Sequence, residues 1–241
     1  HNSNTKWRIF IRKVTCMRNT IKAFTLAEVL ITLGIIGVVS AMTLPTLINS
    51  YKKQQTVTHL QKVYTSLNQA LRLAEAKYGP YEYWEIPTLG SDSHQYYEKY
   101  WYPYFKILKS CETYSQCGYK SNFPWFSLKG SPSSTTFAAN NRRVPFILSD
   151  GTLVSISIAG GDELVRSSMI LVDLNGNKLP NKYGIDVFIF SRVNGKGILP
   201  SGYTLSNDDI NENCSNSGTG DYCAAKIISD GWQIGKDYPW K

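Results

Sequence analysis

The spacing of hydrophobic residues changes twice along this chain of 241 residues. Residues 24–48 are almost all apolar, and Val29 to Leu44 carries no charge, so this run is long enough to cross a bilayer as a helix. Residues 49–79 are more polar but keep apolar side chains at steps of three and four, which predicts an amphipathic helix. Its apolar face consists of Val57, Leu60, Tyr64, Leu67, Leu71, Ala74 and Tyr78.

From Val144 onward the period of the pattern becomes two, which is typical of strands. Residues 144–158 predict a hairpin with its turn at Asp150 and Gly151, and residues 169–190 predict two further strands around a polar loop. Residues 222–228 are expected to add a strand to the same sheet. Before the sheet, residues 80–140 are aromatic and irregular, with one short helix expected near residues 93–108.

These elements predict an α+β fold, in which a long protruding N-terminal hydrophobic helix packs on a C-terminal antiparallel sheet head. We expect four segments along the chain. They are a leader at residues 1–23, a membrane-spanning or filament-core helix at 24–48, the amphipathic half of the helix at 49–79, and a globular α+β head at 80–241. A coiled coil is the alternative use of the amphipathic face.

Most of the excess of positive charge lies in the leader. The net charge is +8, but residues 1–23 hold six basic and no acidic residues, so that 20 basic and 18 acidic residues remain elsewhere. A short basic segment before an apolar run is the part of a membrane-insertion signal that stays in the cytoplasm. The charge therefore argues for a membrane as the partner, and no specific nucleic acid is predicted.

Glu28 is an acid within the apolar run. A carboxylate costs roughly 2.5 to 3.5 kcal/mol at a bilayer centre, so it needs a partner. Cleavage after Ala23 would create one, because Phe24 would then carry a new α-ammonium group four residues ahead of Glu28. The two charges could neutralise each other within one helix or between neighbouring helices.

This arrangement resembles the class III signal of type IV pilins and type II secretion pseudopilins. The matching residues are Lys22, Ala23, Phe24, Thr25, Leu26, Glu28 and Pro45. The resemblance implies that prepilin peptidase cuts between Ala23 and Phe24 and methylates the new amine, and that Glu28 and Pro45 serve in assembly. Ala23 departs from the glycine that usually precedes the cut, whereas a leader of seven residues from Met17 would be typical of the family.

The resemblance also implies partners and a location. The partners are prepilin peptidase, other pilin or pseudopilin subunits, and an inner-membrane assembly platform. The chain would be a single-pass protein of the bacterial inner membrane, its head exported to the periplasm or the cell exterior and then assembled into a filament. We expect a structural subunit, not an enzyme, because no nucleophile, phosphate-loop or metal-ligand motif occurs and His94 is the one histidine suited to acid or base chemistry in the head.

Two alternatives remain open at this point. Residues 39–41 form an acceptable site for ordinary signal peptidase, which would cut after Ala41 and release a soluble protein. The aromatic segments of the head would also suit a membrane-anchored or secreted module that binds glycan or DNA by stacking.

Four cysteines follow the leader and form two close pairs in sequence. In an oxidising compartment, two local disulfides are the economical interpretation, although four cysteines allow three pairings. A zinc site is the alternative, but the spacings do not match those of common zinc ligands. The cysteines are Cys111, Cys117, Cys214 and Cys223.

One polar loop in the predicted sheet is a candidate calcium site, and calcium is the one cofactor that the sequence suggests. Asp173, Asn175 and Asn177 alternate around a glycine, and Asp186 could complete the site from the next strand. The same stretch resembles the D-x-N-G loop of pseudopilin-like heads, some of whose relatives bind calcium. Asn-Gly is also a strong turn former, so a plain turn is the alternative.

Overall fold

The computed structural model describes residues 24–87, 93–111, 114–121, 123–133, 143–158 and 168–240. The predicted leader, including Ala23, lies outside this part of the chain. The chain divides into two compact units, His1–Leu47 and Ile48–Lys241. Each is described separately below.

Helix α1 runs from Leu26 to Tyr78 and belongs to both units. In the first unit the side chains of residues 26–47 are almost all exposed, including large apolar ones such as Leu30 and Ile36. This helix is long and apolar enough to cross a membrane, and its most apolar stretch contains no buried residue. An apolar surface of this kind needs lipid or other apolar helices around it.

The second unit contains a six-stranded sheet whose strands follow one another in chain order. Each strand pairs antiparallel with the next, so the sheet is a meander. The predicted hairpin and the two strands of residues 169–190 are confirmed. The strands are β1 (Ile107–Ser110), β2 (Phe146–Leu148), β3 (Leu153–Ile156), β4 (Ser168–Asp173), β5 (Val187–Val193) and β6 (Gly197–Pro200).

In the described part of the chain, three short α-helices accompany the sheet. They are α2 (His94–Tyr100), α3 (Asn207–Asn213) and α4 (Cys223–Ser229). Helix α4 corrects the strand expected at residues 222–228, because Ala224, Ala225 and Lys226 favour a helix and the segment packs beside the sheet without joining it. The helix expected near residues 93–108 ends at Tyr100. Residues 107 and 108, at the end of the expected range, belong instead to strand β1, which pairs with β2.

The second half of α1 covers one face of the sheet. The predicted apolar positions Leu60, Leu67 and Ala74 are fully buried, and they share one core with sheet residues such as Val172 and Phe188. Each buried leucine contributes about 1.5 to 3 kcal/mol relative to an exposed one. The α+β architecture and the packing of the amphipathic half on the sheet are therefore as predicted.

The other face of the sheet is covered by the segment that follows β1. Trp125 and Tyr119 from this segment pack with Leu153, Leu171 and Val187 of the sheet. A second, smaller core results, and the polar loop after β4 lies at its margin.

Candidate functional site

The N-terminus of α1 contains a reciprocal hydrogen-bonded cap. The Glu28 carboxylate accepts hydrogen bonds from the Thr25 backbone N–H at 2.8 Å and from the Thr25 hydroxyl at 3.0 Å. The Glu28 backbone N–H in turn lies 3.2 Å from the Thr25 hydroxyl oxygen. This is a capping box, in which residues three apart satisfy the free N–H groups of the first helical turn.

Sequence reasoning overlooked this partner of Glu28. The spacing Thr25-x-x-Glu28 before an apolar run is the signal that could have revealed it. The carboxylate therefore has a local partner in the isolated chain, before any second subunit is present. Phe24 lies directly beside the cap and is 84% exposed.

Pro45 lies inside α1, and the helix continues through it. Proline has no N–H to donate to the carbonyl four residues earlier, here that of Ala41. The expected role of Pro45 in assembly stays a prediction.

The two local cysteine pairs are both disulfides. Cys111–Cys117 closes a loop of the segment that covers the second core, with the Cα atoms 5.7 Å apart. Cys214–Cys223 joins the end of α3 to the start of α4, with the Cα atoms 5.0 Å apart. All four cysteines are buried. Each disulfide holds a short connection that has few apolar side chains of its own.

Asp173, the first predicted calcium ligand, is fully buried at the end of β4. Its Oδ2 accepts hydrogen bonds from the Tyr119 hydroxyl at 2.8 Å and from Trp125 Nε1 at 2.9 Å. Burial, helped by the nearby charge of Asp186, raises the pKa of Asp173 to about 8, although the bonds from Trp125 and Tyr119 oppose the shift. Asp173 thus connects the sheet to the segment over the second core.

The other three predicted ligands have different contacts. Asp186 accepts backbone hydrogen bonds from Asn181 at 2.9 Å and Lys182 at 2.6 Å, and its pKa is raised by burial. The Asn175 amide donates to Asp186 at 3.2 Å, whereas the Asn177 amide donates to the Gly118 carbonyl at 2.9 Å. Asp186 therefore organises the loop between β4 and β5.

A calcium ion takes six to eight oxygen ligands. Among the predicted ligands, only Asp173 Oδ1 and Asn175 Oδ1 are buried oxygens with no hydrogen-bond partner. No group of three acidic, histidine or cysteine side chains in the described ranges could hold a metal. Two free oxygens do not complete a calcium site, so calcium binding stays a prediction and no function is derived from it.

The aromatic residues of the segment after α1 are mostly core residues. Trp84 stacks on Tyr100 with ring centroids 4.4 Å apart, and both are buried, as are Tyr96 and Trp101. His94 is the first residue of α2 and is half-buried. The aromatic stretch therefore mainly anchors α2 to the end of α1. This arrangement leaves few of its rings for binding by stacking.

The fold and the capped apolar helix define a pilin-like α+β protein. A family model described as the prokaryotic N-terminal methylation motif, the signal of type IV pilins and pseudopilins, matches residues 18–44. A second model, described as a family of unknown function (DUF6613), matches residues 46–241, and the chain belongs to this family. Searches of curated proteins and of solved structures found no match. The N-terminal motif identifies a pilin-like or pseudopilin-like precursor with a membrane-anchoring helix.

Proposed function

We propose that this protein is a structural subunit of a type IV filament, either a pilus or a type II secretion pseudopilus. The observation that carries the proposal is the exposed apolar surface of residues 26–47, which follows the methylation motif directly. Such a surface is stable in lipid before assembly and among like helices afterwards. One segment thus suits both environments.

The proposed sequence of events begins with insertion of the apolar helix while the basic leader stays in the cytoplasm. Prepilin peptidase then cuts between Ala23 and Phe24 and methylates the Phe24 amine. An inner-membrane assembly platform extracts the subunit into the filament. There Glu28 pairs with a Phe24 amine, because an unpaired charge among apolar helices is strongly unfavourable. This pairing fixes the axial register of each subunit.

The capping box adds a step to this proposal. Glu28 already accepts two hydrogen bonds from Thr25 within its own chain. Pairing with a Phe24 amine must therefore compete with, or add to, the bonds from Thr25. A carboxylate has room for about four hydrogen bonds, so both partners can share it without leaving the helix uncapped.

No catalytic activity is proposed for the head. The chemistry of the proposal lies in processing by another enzyme and in assembly.

The test is the N-terminus of the envelope-associated protein from the native host, determined by mass spectrometry. N-methylated Phe24 is expected. A start at Met42 would mean ordinary signal-peptide cleavage and would contradict the proposal, as would an uncleaved chain.

Two variants at the same position serve as controls. Ala23→Gly restores the small residue usual in the resembling family and should be processed at least as well as the natural chain. Ala23→Leu should block the cut before Phe24, because a bulky side chain replaces the small one. Normal processing of Ala23→Leu would show that another peptidase is responsible.

A further inference from the structure

The last described residues form a strap that lies along α1. We call residues 230–240 the C-terminal strap. Trp232 packs on Tyr64 with ring centroids 5.6 Å apart, and Lys53 Nζ donates to the Gly235 carbonyl at 3.2 Å. Trp240 Nε1 donates to Asn49 Oδ1 at 2.7 Å. The strap therefore follows α1 backwards to Asn49.

The strap is fixed to the head at two further points. Lys226, a buried residue of α4, bonds Asp237 at 2.6 Å and Asp230 at 3.3 Å. The buried Tyr238 donates its hydroxyl to the Gly184 carbonyl at 2.5 Å. These contacts hold the strap in one place, so the position of Trp240 is set by the fold.

That position is at the end of the apolar run. Asn49, the partner of Trp240, follows the last apolar residues, Leu47 and Ile48, directly in α1. In the chain, Asn49 is two residues beyond Leu47. If residues 26–47 span the bilayer, Asn49 and its partner are at the depth of the lipid headgroups.

The exposed residues at this end of α1 and in the strap have the composition of a membrane interface. Tyr51 is 68% exposed, Trp240 is half-buried with its N–H bonded, and Lys52 and Lys236 are exposed. Tryptophan and tyrosine side chains have an apolar ring and a polar N–H or O–H group, and they are enriched at the level of the lipid headgroups. Asp237 is the acidic residue of this surface, and its charge is already paired with Lys226.

We propose that Trp240, Tyr51, Lys52 and Lys236 form a membrane-surface contact that binds the phosphate-bearing headgroups of the bilayer. The inference rests on the membrane span proposed above and adds a second, peripheral attachment by the strap. The rings lie among the glycerol groups, and the lysines face anionic phosphates. The contact holds the head against the membrane until the subunit is extracted.

The experiment uses the full chain reconstituted into vesicles of phosphatidylcholine and phosphatidylglycerol. A phosphatidylcholine brominated just below the headgroup quenches tryptophans at that depth. We expect quenching in the natural chain, its loss in Trp240→Phe, and its retention in Trp232→Phe. Trp232 is the matched control because its partner Tyr64 is fifteen residues, or about 22 Å, further along α1 than Asn49.

A charge variant tests the lysines separately. With the fraction of brominated phosphatidylcholine held constant, the quenching of Trp240 in the natural chain should increase as phosphatidylglycerol replaces the unbrominated phosphatidylcholine. In the double variant Lys52→Gln and Lys236→Gln this dependence should fall clearly, although Lys53 beside the strap keeps its charge. Because both side chains are exposed, the variant should fold normally, which its unchanged near-ultraviolet circular dichroism would verify.

The outcomes separate this inference from the proposed function. A chain that resists alkaline extraction from the vesicles, yet is quenched equally with and without Trp240, overturns the membrane contact and leaves the span intact. A chain released by alkali overturns both. If Trp240 becomes shielded from bromine as the protein-to-lipid ratio rises, a second copy covers this surface, and the assignment to lipid is wrong.

Discussion

Two aspartates of the head show how the surroundings of a side chain determine its charge. Asp150 lies in the turn between β2 and β3, where Lys62 Nζ is 2.8 Å and His59 Nε2 is 3.5 Å from its Oδ2. Partial burial favours the neutral form, but hydrogen bonds from Lys62 and Thr152 outweigh it and lower the pKa to about 2. The buried Asp173 has a pKa raised to about 8 instead.

The pKa of Asp150 predicts a dependence of stability on pH. Because the folded pKa lies below the unfolded value of about 3.9, the contribution is complete above pH 4 and is lost as the pH falls through about 2. The shift corresponds to about 2 kcal/mol, and screening of this partly exposed pair reduces the expected effect to about 1 kcal/mol. Asp150→Asn should remove that contribution, as measured by chemical unfolding in detergent micelles.

The control for Asp150 is an exposed aspartate. Asp208, in the first turn of α3, has no ion pair among the described residues, so Asp208→Asn should cost only the small contribution that an exposed acid makes at a helix N-terminus. An equal effect of the two substitutions at pH 7 would mean that the Lys62 bond adds nothing.

The calcium prediction can be tested by thermal unfolding. If calcium uses the free oxygens of Asp173 and Asn175, millimolar calcium should raise the unfolding midpoint of the natural chain relative to a chelator. Asp173→Asn should abolish that increase, since the amide loses a charged ligand but can still accept from Tyr119 and Trp125. An unchanged midpoint in the natural chain would remove calcium from consideration.

At the residue scale, the sequence indicated the structurally important residues, but it did not reveal the contacts that these residues make. Asp173 was selected as a calcium ligand because of its spacing, but its bonds come from Tyr119 and Trp125, about fifty positions earlier in the chain. Such a contact depends on the segment that folds over the second core, which no local pattern reveals. The Thr25–Glu28 cap, by contrast, is local and could have been predicted.

At the element scale, α1 closes an open edge of the sheet with one side chain. Asn68 Oδ1 accepts from the Ile198 N–H at 3.0 Å, and its Nδ2 donates to the Ile198 carbonyl at 3.1 Å. Strand β6 is the last in the sheet, so Ile198 presents these groups where a further strand would pair. The amide of Asn68 takes the place of that strand and blocks edge-to-edge association.

Replacing Asn68 should therefore expose the edge. Asn68→Leu leaves a partly buried N–H and carbonyl of Ile198 without partners, which we expect to cost about 2 kcal/mol. The variant should also aggregate more readily, because β6 can then pair with another chain. Unfolding midpoints and light scattering of the detergent-solubilised chain would measure the two effects.

Gln69→Leu is the matched control for Asn68. Gln69 is the next residue on α1 and is exposed, so the same change there alters apolar surface without freeing the β6 edge. If both variants scatter light equally, added hydrophobicity explains the aggregation and the edge does not.

Elements with strong internal periodicity were predicted well. The stripe of α1, the β2–β3 hairpin and strands β4 and β5 repeat apolar residues over enough positions to define their type. Strands β1 and β6 have four residues each, and β6 begins with glycine and ends with proline. Their state is decided by pairing with β2 and β5, so tertiary contacts override local propensity there.

At the scale of the whole molecule, assembly and capping make different demands on Glu28. Glu28→Ala removes both the charge and the cap, whereas Glu28→Gln removes the charge but keeps a side chain able to complete a capping box. If pairing with the Phe24 amine drives assembly, both variants should insert into the membrane normally and both should lose filaments. Electron microscopy and membrane fractionation of the native host would measure these properties.

Glu28→Asp completes the comparison. It keeps the charge but shortens the reach, so filament yield should be intermediate. Full assembly of Glu28→Gln would show that the cap alone is required and would contradict charge pairing as the source of register.

The C-terminal strap imposes a delay on folding during synthesis. Its contacts join residues 182 and 191 positions apart, Lys53 to Gly235 and Asn49 to Trp240. At about 5 to 20 residues per second, a ribosome needs roughly 10 to 40 s to make that intervening length. During this interval Tyr64, against which Trp232 finally packs, has no strap to cover it. This side of α1 therefore gains its cover only after the C-terminal residues have been made.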